Sequence, residues 1–396
     1  MDKLFKNIKG DLAIWAVVGF MAILSFLPIY SASTNLVYVA NNGTTTFHLF
    51  KHAILLVFGF LIIYGVHKIP YKYFSGGSVL MLPLVILLLV YTLAKGTTIG
   101  GANASRWIQI PFIVIGFQTS TLAGLILMIY VSRYLAQNKD KVIVFKESML
   151  KLWLPVAITL MLILPANFST TAIIFSMTLL IVFIGGYPIK YIATVLGIGL
   201  MFLLLFVLTA KAFPGVLPNR VDTWISRVEN FSNSDEVEGY QVEKAKIAIA
   251  SGGIQGRGPG KSVQKNFLPQ SSSDFIFAII VEEFGLIGAL VVILCYFFLL
   301  IRIIIASKKA TTIFATLLII GVGLPIIFQA IINMAVAVNL FPVTGQTLPL
   351  ISSGGTSIWM TCLAIGIILS VTANNEKVTR TENEENPLDI LHEAIG

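Results

Sequence analysis

Three carboxylates lie close together in an otherwise apolar stretch of the sequence, at Asp274, Glu282 and Glu283. Ionisable side chains are costly inside a membrane, so each is a candidate for chemistry such as general base catalysis. In a helix, Asp274 and Glu282 would differ by about 80° and share a side, whereas Glu283 would lie about 180° from Asp274. The spacing therefore predicts no three-carboxylate cluster. It places Asp274 at one lip of a helix, with the two glutamates about two turns deeper.

Two interpretations of Asp274 stay open at this level. An aspartate near the start of a helix accepts backbone N–H bonds and suits the positive end of the helix dipole, which favours a capping role. Three serines precede it and could cap the helix instead, which would leave its carboxylate available as a base. For Glu282 and Glu283 we favour an ion pair or hydrogen bonds within a helix bundle.

A glycine-rich, cationic segment precedes these carboxylates, from residue 251 to residue 265. It contains Gly-Lys-Ser at 260–262, but a Walker phosphate-binding motif needs a glycine where this sequence has Gln255. Exposed backbone with Arg257, Lys261 and Lys265 could still approach an anionic group such as a diphosphate. The alternative is a flexible linker with solvated charges.

Two further polar islands interrupt apolar sequence. Residues 100–108 include Arg106 beside Trp107, a pair that often simply anchors a helix at the membrane surface, and Gln118 follows in an apolar setting. Residues 342–357 hold two prolines and three glycines. This second island predicts a re-entrant or broken-helix segment that is buried in protein or lines a polar cavity.

The elements that carry these residues must be membrane helices. The 396 residues are 56% hydrophobic and 12% charged, with a mean hydropathy of +0.88, which excludes a soluble enzyme, a collagen-like fibre and a disordered chain. The composition predicts an all-α integral membrane protein, and the net charge of +8 reflects membrane topology rather than nucleic-acid binding. Apolar runs predict a bundle of about ten transmembrane helices, near residues 12–30, 48–66, 74–94, 112–135, 150–164, 170–186, 189–213, 274–301, 311–338 and 354–372.

The positions of Lys and Arg orient these spans. With the N-terminus in the cytoplasm, the short outer loops hold only Lys51, Lys95 and Arg106. We therefore expect both termini in the cytoplasm, with residues 1–11 before a membrane domain at 12–373 and a polar, disordered tail at 374–396. A long extracytoplasmic loop at 214–272, between the seventh and eighth helices, predicts that the functional face is outside.

Several multi-residue motifs occur in order along nearly the whole chain. They are Ala-Ser-Arg-Trp-Ile at 104–108, Tyr-Gln at 240–241, the spaced glycines and polar residues at 256–269, Asp-Phe-Ile-Phe-Ala at 274–278 with the following Glu-Glu pair, and residues 342–356. With these motifs between ten spans, the chain resembles the SEDS family of shape, elongation, division and sporulation proteins. It is more similar to the division branch, which includes FtsW, than to the elongation branch, which includes RodA.

This resemblance implies a peptidoglycan glycosyltransferase that polymerises lipid II at the outer face of the bacterial cytoplasmic membrane during septal wall synthesis. The family's catalytic acid falls on Asp274, as the general base for the acceptor sugar hydroxyl while undecaprenyl diphosphate leaves. Implied partners are a class B penicillin-binding protein transpeptidase of the FtsI type and other divisome membrane proteins; no cofactor is certain, and a divalent cation stays open. The residues expected to bind substrate are Arg106, Gln118, Lys261, Ser262, Gln264, Lys265, Ser352 and Gly354.

The chain also departs from the family pattern. Many members have Gln-Pro-Ser-Glu followed by a lysine, whereas this chain has Gln-Thr-Ser-Thr at 118–121 and then Gly124. Asn167 stands where an aspartate is usual, and Gln270 where a glutamate is usual. These losses argue against a charged network or a carboxylate-held metal around the fourth and fifth spans, and they leave Asp274 as the isolated candidate acid.

Three rival functions remain. A flippase for the lipid-linked precursor would need charged residues at mid-membrane depth along a polar pathway, and the inner halves of the spans show few. A scaffold that only recruits its partner would predict that no single carboxylate matters. An elongation polymerase of the RodA type differs in its cellular role rather than in its chemistry.

Overall fold

A computed structural model describes residues 8–38, 44–96, 106–109, 116–213, 221–232, 239–268 and 271–384. Within these ranges the chain forms a bundle of helices with one short antiparallel ribbon, in which Ile108 pairs with Phe117 and Gln109 with Gly116. Eight of the described helices are long and apolar enough to cross a membrane. The prediction of an all-α membrane bundle is confirmed.

The elements are named here in chain order. They are α1 Leu12–Tyr38, α2 Thr45–Val66, α3 Lys72–Lys95, β1 Ile108–Gln109, β2 Gly116–Phe117, α4 Thr119–Gln137, α5 Phe145–Ser148, a π-helical turn Met149–Trp153, α6 Leu154–Ile163, α7 Phe168–Ile184, α8 Ile189–Ala212, α9 Val221–Ser232, α10 Tyr240–Gly252, a 3-10 turn Gln264–Asn266, α11 Ile276–Lys308, α12 Ile313–Ala337 and α13 Gly355–Glu384.

Each of the ten predicted spans corresponds to a helix or a continuous helical run. The eight long helices are α1 to α4, α8 and α11 to α13. The fifth predicted span is formed by α5, the π-helical turn and α6 in succession, and the sixth is α7, with 17 residues. A short hairpin joins these two, as the sequence at 165–169 predicts.

Packing places α12 at the centre of the bundle, against α4, α7, α11 and α13. The last helix, α13, also packs along α2, where Gly59 faces Cys362 and Gly366 faces Val66. Such small residues let two membrane helices approach closely. In contrast, α8 is peripheral: Val195 and Ala210 are its buried residues, so most of its surface faces lipid.

Long-range contacts define two ends of the bundle. At one end Arg302 of α11 forms an ion pair with Asp11, whose backbone N–H donates to Thr372 Oγ1 of α13 at 3.1 Å. At the other end Gln346 donates to Thr170 Oγ1 at the start of α7 at 3.0 Å. The second end carries the polar islands that the sequence analysis singled out.

Two predicted segments contain more helix than expected. The described part of the 214–272 loop forms α9, α10 and the 3-10 turn, because Val242, Ala245 and Ala248 recur at helical spacing and are buried. At the C-terminus α13 continues past Thr372 to Glu384, so the segment predicted as a tail begins as helix. Residues 1–7 and 385–396, in the predicted terminal segments, lie outside the described residues.

Candidate active site

Asp274 lies in the turn that leads into α11, at the end of the bundle opposite Asp11. The first helical residue of α11 is Ile276, and Phe275 occupies the N-cap position. Asp274 therefore stands one residue before the cap. The geometry disfavours the capping role that the sequence left open for this carboxylate.

The backbone around Asp274 is held by side chains from two other segments. Asn333 of α12 donates through Nδ2 to the Asp274 carbonyl and to the Gln346 carbonyl, at 2.7 Å each. Ser352 donates through Oγ to the Ser273 carbonyl at 2.6 Å. Because these bonds fix main-chain atoms, they orient the turn without engaging the Asp274 carboxyl group.

The Asp274 carboxyl group is largely enclosed. Gly345 approaches it so closely that a Cβ at that position would lie 3.5 Å from Asp274 Oδ2, and Gly345 has a φ of +68° that favours glycine. Burial raises the pKa of the Asp274 carboxyl, while a hydrogen bond from Ser273 and the charges of Arg227 and Arg106 partly oppose this. The net effect is a pKa above the ordinary value of an aspartate.

Two arginines flank this carboxyl group. Arg106 donates through Nε to the Ala166 carbonyl at 2.6 Å, and Arg227 donates through Nη1 to the Val343 carbonyl at 2.9 Å. Both charges act on Asp274. Two cations beside one carboxyl group leave an excess of positive charge that suits a ligand with more than one negative charge.

Arg227 reaches the site because α9 is docked on the bundle. On the same helix, Trp224 packs against Phe168 of α7 and Phe206 of α8, with ring centroids 5.1 and 6.1 Å apart. None of the motifs in the sequence points to Arg227 as a site residue. The signal that could have found it is a tryptophan three residues before an arginine, which puts both on one side of a helix.

A cavity of about 100 Å³ opens between α4, α7, α12 and α13. Thr121 and Gly124, the positions where the family usually has Glu and Lys, line it. At Gly124 a Cβ would lie 3.0 Å from Ile174 Cδ1, so a larger side chain there would need repacking. The walls are polar near Gln346 and Thr170 and apolar deeper, where the lining includes Leu125, Met128, Met177, Val322, Pro325 and Ile326.

Asn167, another departure from the family, has a structural role. Its side chain accepts the Thr170 backbone N–H at 3.2 Å as the N-cap of α7. Asparagine caps a helix about as well as aspartate. The amide therefore preserves the helix start without bringing a second carboxylate.

Glu282 binds the glycine-rich segment and lies away from Asp274. Its carboxylate accepts from Ser262 Oγ at 2.5 Å, Val263 N at 3.0 Å and Gln264 N at 3.2 Å, and Arg257 Nη1 lies 3.9 Å from it. The side chain of Glu282 is fully buried. The predicted role in hydrogen bonds within the bundle is confirmed.

Glu283, the next residue of α11, contacts the same segment and also α1. It accepts from Ser31 Oγ of α1 and from Ser262 N, the latter at 3.2 Å. Lys265 donates to Ser31 Oγ at 3.2 Å. The pair of glutamates thus joins α1, α11 and the glycine-rich segment.

The glycines of this segment serve close packing. A Cβ at Gly252 would lie 2.0 Å from the Val281 carbonyl oxygen, and one at Gly256 would lie 2.2 Å from the Glu283 carbonyl oxygen. The segment is therefore docked on α11 and is not a solvated linker. The Arg257 and Gly258 N–H groups donate to the Glu282 and Glu283 carbonyls at 3.0 and 2.9 Å, and the close approach at Gly252 and Gly256 leaves no room for a side chain there.

Of the residues expected to bind substrate, the structure brings Arg106 to Asp274. Ser352 is buried beside it and positions its backbone. Among the others, Lys261 is exposed, Ser262, Gln264 and Lys265 contact Glu282 or Ser31, and Gln118 donates to Ser120 Oγ at 3.1 Å. Gly354 follows Ser353, whose backbone N–H donates to the Ser272 carbonyl at 2.8 Å, so it lies close to the turn that carries Asp274. Sequence reasoning also gave no role to Asn333, although an amide in an apolar span was a visible signal.

The fold and this site define a multi-pass α-helical membrane protein with a largely enclosed carboxyl group under the charges of two arginines. Residues 11–377 match the FtsW/RodA/SpoVE family model, described as "Cell cycle protein". The chain belongs to this family.

Individual relatives support the assignment over nearly the full length. The "Probable peptidoglycan glycosyltransferase FtsW" of Polynucleobacter necessarius is 30% identical over 377 residues, covering 93% of this chain and 87% of that protein. The protein of the same description from Hydrogenovibrio crunogenus is 32% identical, covering 90% of each. That from Coxiella burnetii is 30% identical, covering 91% of this chain and 96% of that protein.

Solved structures share the fold. A chain from "Structural coordination of polymerization and crosslinking by a peptidoglycan synthase complex" is similar with a TM-score of 0.70 and 24% identity, covering 92% of this chain and 98% of that one. The Rod shape determining protein RodA of Thermus thermophilus is similar with a TM-score of 0.66 and 22% identity, covering 92% and 97%.

Proposed function

We propose that this chain is a peptidoglycan glycosyltransferase that polymerises lipid II at the outer face of the bacterial cytoplasmic membrane. The observation that carries the proposal is the enclosed Asp274 carboxyl group between Arg106 and Arg227, in a chain whose relatives are described as peptidoglycan glycosyltransferases. The similarity to proteins described as FtsW supports a role of this activity in septal wall synthesis during division.

Asp274 acts as the general base. Its ionised carboxylate takes the proton from the acceptor sugar hydroxyl as that oxygen forms a bond to the anomeric carbon of the donor. The bond between the anomeric carbon and the diphosphate oxygen breaks, and undecaprenyl diphosphate leaves with the electron pair. A carboxyl pKa raised by burial makes Asp274 a stronger base than an aspartate in water.

The two arginines stabilise the leaving group. Negative charge develops on the diphosphate as its bond to the sugar breaks, and fixed cations in an enclosed site stabilise that charge. Arg106 and Arg227 are already oriented by the Ala166 and Val343 carbonyls. Little reorganisation is then needed at the moment of reaction.

A divalent cation at this site would have few protein ligands among the described residues. No group of three or more His, Cys, Asp or Glu side chains among them could hold one. Asp274 is the carboxylate that faces the proposed diphosphate position, and Asn167 is an amide engaged in capping. In the proposed reaction the two arginines supply the positive charge.

The proposed orientation places both termini in the cytoplasm and Asp274 outside. The substrate is lipid II, and the partner is a class B penicillin-binding protein of the FtsI type that cross-links the new strands, with further divisome membrane proteins around it. The mixed cavity lined by Gln346 and Thr170 suits a substrate with a polar head and a lipid chain.

Polymerisation by the purified protein tests this proposal. The full chain, with and without its penicillin-binding partner, is incubated with purified lipid II, and glycan length is read by gel electrophoresis. We expect polymer to form. In a parallel assay, transport of labelled lipid II across liposomes without any polymer would establish the flippase alternative, and neither activity would support a scaffold.

A further inference from the structure

The end of the bundle opposite Asp274 carries a cationic pocket that the proposed reaction does not use. It has a volume of about 310 Å³ and lies between the loop after α4 and the loop from α7 to α8. Lys139 and Lys141 line it from the first loop and Lys190 from the first turn of α8. All three side chains are exposed, and Asp140 is the acidic residue between the two loop lysines, so the cluster stays positive.

The rim of this pocket is apolar. Val142 lines the pocket and is 94% exposed, and Ile189, the first residue of α8, is 69% exposed. Phe183 at the end of α7 is 58% exposed. Large apolar side chains around a lysine cluster are unfavourable in water but fit the boundary between head groups and acyl chains.

An aromatic wall supports the pocket from behind. Tyr191 lines it and packs against Phe145 and Tyr187, with ring centroids 4.9 and 5.9 Å apart. The Tyr187 hydroxyl accepts from Trp153 Nε1 at 3.2 Å and is hydrogen-bonded to Ser148 Oγ. Aromatic residues with one polar tip are typical of the membrane interface, so the pocket lies at head-group level.

Next to the pocket, the sparse packing of α8 leaves a lipid-facing surface along α7 and α8. We propose that the pocket binds the phosphodiester head group of an anionic glycerophospholipid such as phosphatidylglycerol, whose acyl chains lie along this surface. The three lysines provide charge complementarity, and the apolar rim selects a membrane lipid over a free anion. Basic pockets between membrane helices recognise lipid head groups in this way.

The proposal is tested by lipid retention of the full chain. Wild-type protein and the triple variant Lys139→Gln, Lys141→Gln, Lys190→Gln are reconstituted in nanodiscs of phosphatidylglycerol and phosphatidylcholine, then released and analysed by native mass spectrometry. We expect wild type to retain phosphatidylglycerol preferentially. In the triple variant the preference for phosphatidylglycerol should be at least about tenfold lower, since each lysine near an anionic surface raises lipid affinity roughly fivefold.

A matched control removes three lysines from the same end of the bundle: Lys72→Gln, Lys308→Gln, Lys309→Gln. These residues are exposed, and Tyr71 is hydrogen-bonded to Thr312, which places their loops together outside the pocket. The control should keep the wild-type preference. Three results would each overturn the proposal. They are an equal loss of phosphatidylglycerol in both triple variants, unchanged retention in the pocket variant, and displacement of the lipid by millimolar inorganic phosphate. Thermal unfolding of both triples confirms that they are folded.

Discussion

Asp274 differs from its neighbouring carboxylates through its surroundings. Glu282 and Glu283 accept hydrogen bonds from the glycine-rich segment and, for Glu283, from α1, whereas the contacts that hold Asp274 fall mainly on its main chain. Its side chain is left between Arg106 and Arg227 with a raised pKa. A carboxyl group in this position is available to accept a proton from a substrate hydroxyl.

The first prediction concerns Arg227→Gln. Asp274 works as a base only when ionised, so the rate should fall as pH drops through its pKa. The Arg227 charge lowers that pKa, so its removal should raise the pKa further and move the acidic limb of the pH–rate profile to higher pH. The rate at the optimum should also fall on the order of tenfold, because one stabilising charge is lost.

The control for this prediction is Arg257→Gln. Arg257 lies 3.9 Å from Glu282 and is not among the charges that act on Asp274. Its removal should leave the acidic limb in place. If the acidic limb moved equally in both variants, or in neither, the Arg227 charge would have no specific effect on the pKa of Asp274, and the prediction would be wrong.

At the scale of elements, the glycine-rich segment and the kink of α11 fit one another. Gly285 has a φ of +65° inside α11, and a Cβ there would lie 2.2 Å from the Ile254 carbonyl oxygen. The backbone N–H of Leu286 then donates to the Gly253 carbonyl at 2.9 Å. The break in the helix is what lets the segment pair with α11.

We therefore predict that Gly285→Ala destabilises the protein by about 2 kcal/mol or more, because the new Cβ meets backbone and the positive φ is strained. Thermal unfolding in detergent measures this. Gly197→Ala in α8, where nothing lies within 4 Å of the added Cβ, should be neutral or slightly stabilising. Equal stability of the two variants would mean that the segment is not docked on α11 as described.

The elements were predictable from the sequence to different degrees. The long apolar runs gave α1, α3, α11 and α12 directly, because burial in lipid demands a continuous apolar stretch. The pairing of the 251–265 segment with α11 was not predictable, since backbone contacts between distant glycines leave no periodic pattern. For the same reason the contacts of Ser262, Gln264 and Lys265 with Glu282 and Ser31 were not predictable, and the expected role of these residues in substrate binding stays a prediction.

At the scale of the whole molecule, the proposed orientation puts the Asp274 end outside. Cys295 and Cys362 are both buried, so a new surface thiol can be labelled with little background. We predict that Lys261→Cys reacts with an impermeant maleimide in intact cells whose outer membrane, if present, has been permeabilised, and that Lys309→Cys reacts only after the inner face is opened. The reverse pattern would invert the topology.

The partner helix is expected on α11 and α12, whose outer surfaces carry exposed apolar side chains. Leu290 and Phe297 of α11 are 55% and 56% exposed. A photo-crosslinking residue at Leu290 should capture the penicillin-binding partner, whereas one at Val57 of α2, 59% exposed, should not. Capture from α2 alone would place the partner on the other side of the bundle.

The most direct test of the central claim is the rate of lipid II polymerisation by Asp274→Asn. The amide keeps the size of the side chain, and Asn333 and Ser352 bind main-chain carbonyls that the change leaves intact. Folding and partner binding should therefore be preserved while polymerisation falls on the order of a hundredfold or more. Glu282→Gln should instead lower stability by about 1–3 kcal/mol, with activity following the folded fraction. Near-normal polymerisation by folded Asp274→Asn would contradict the account.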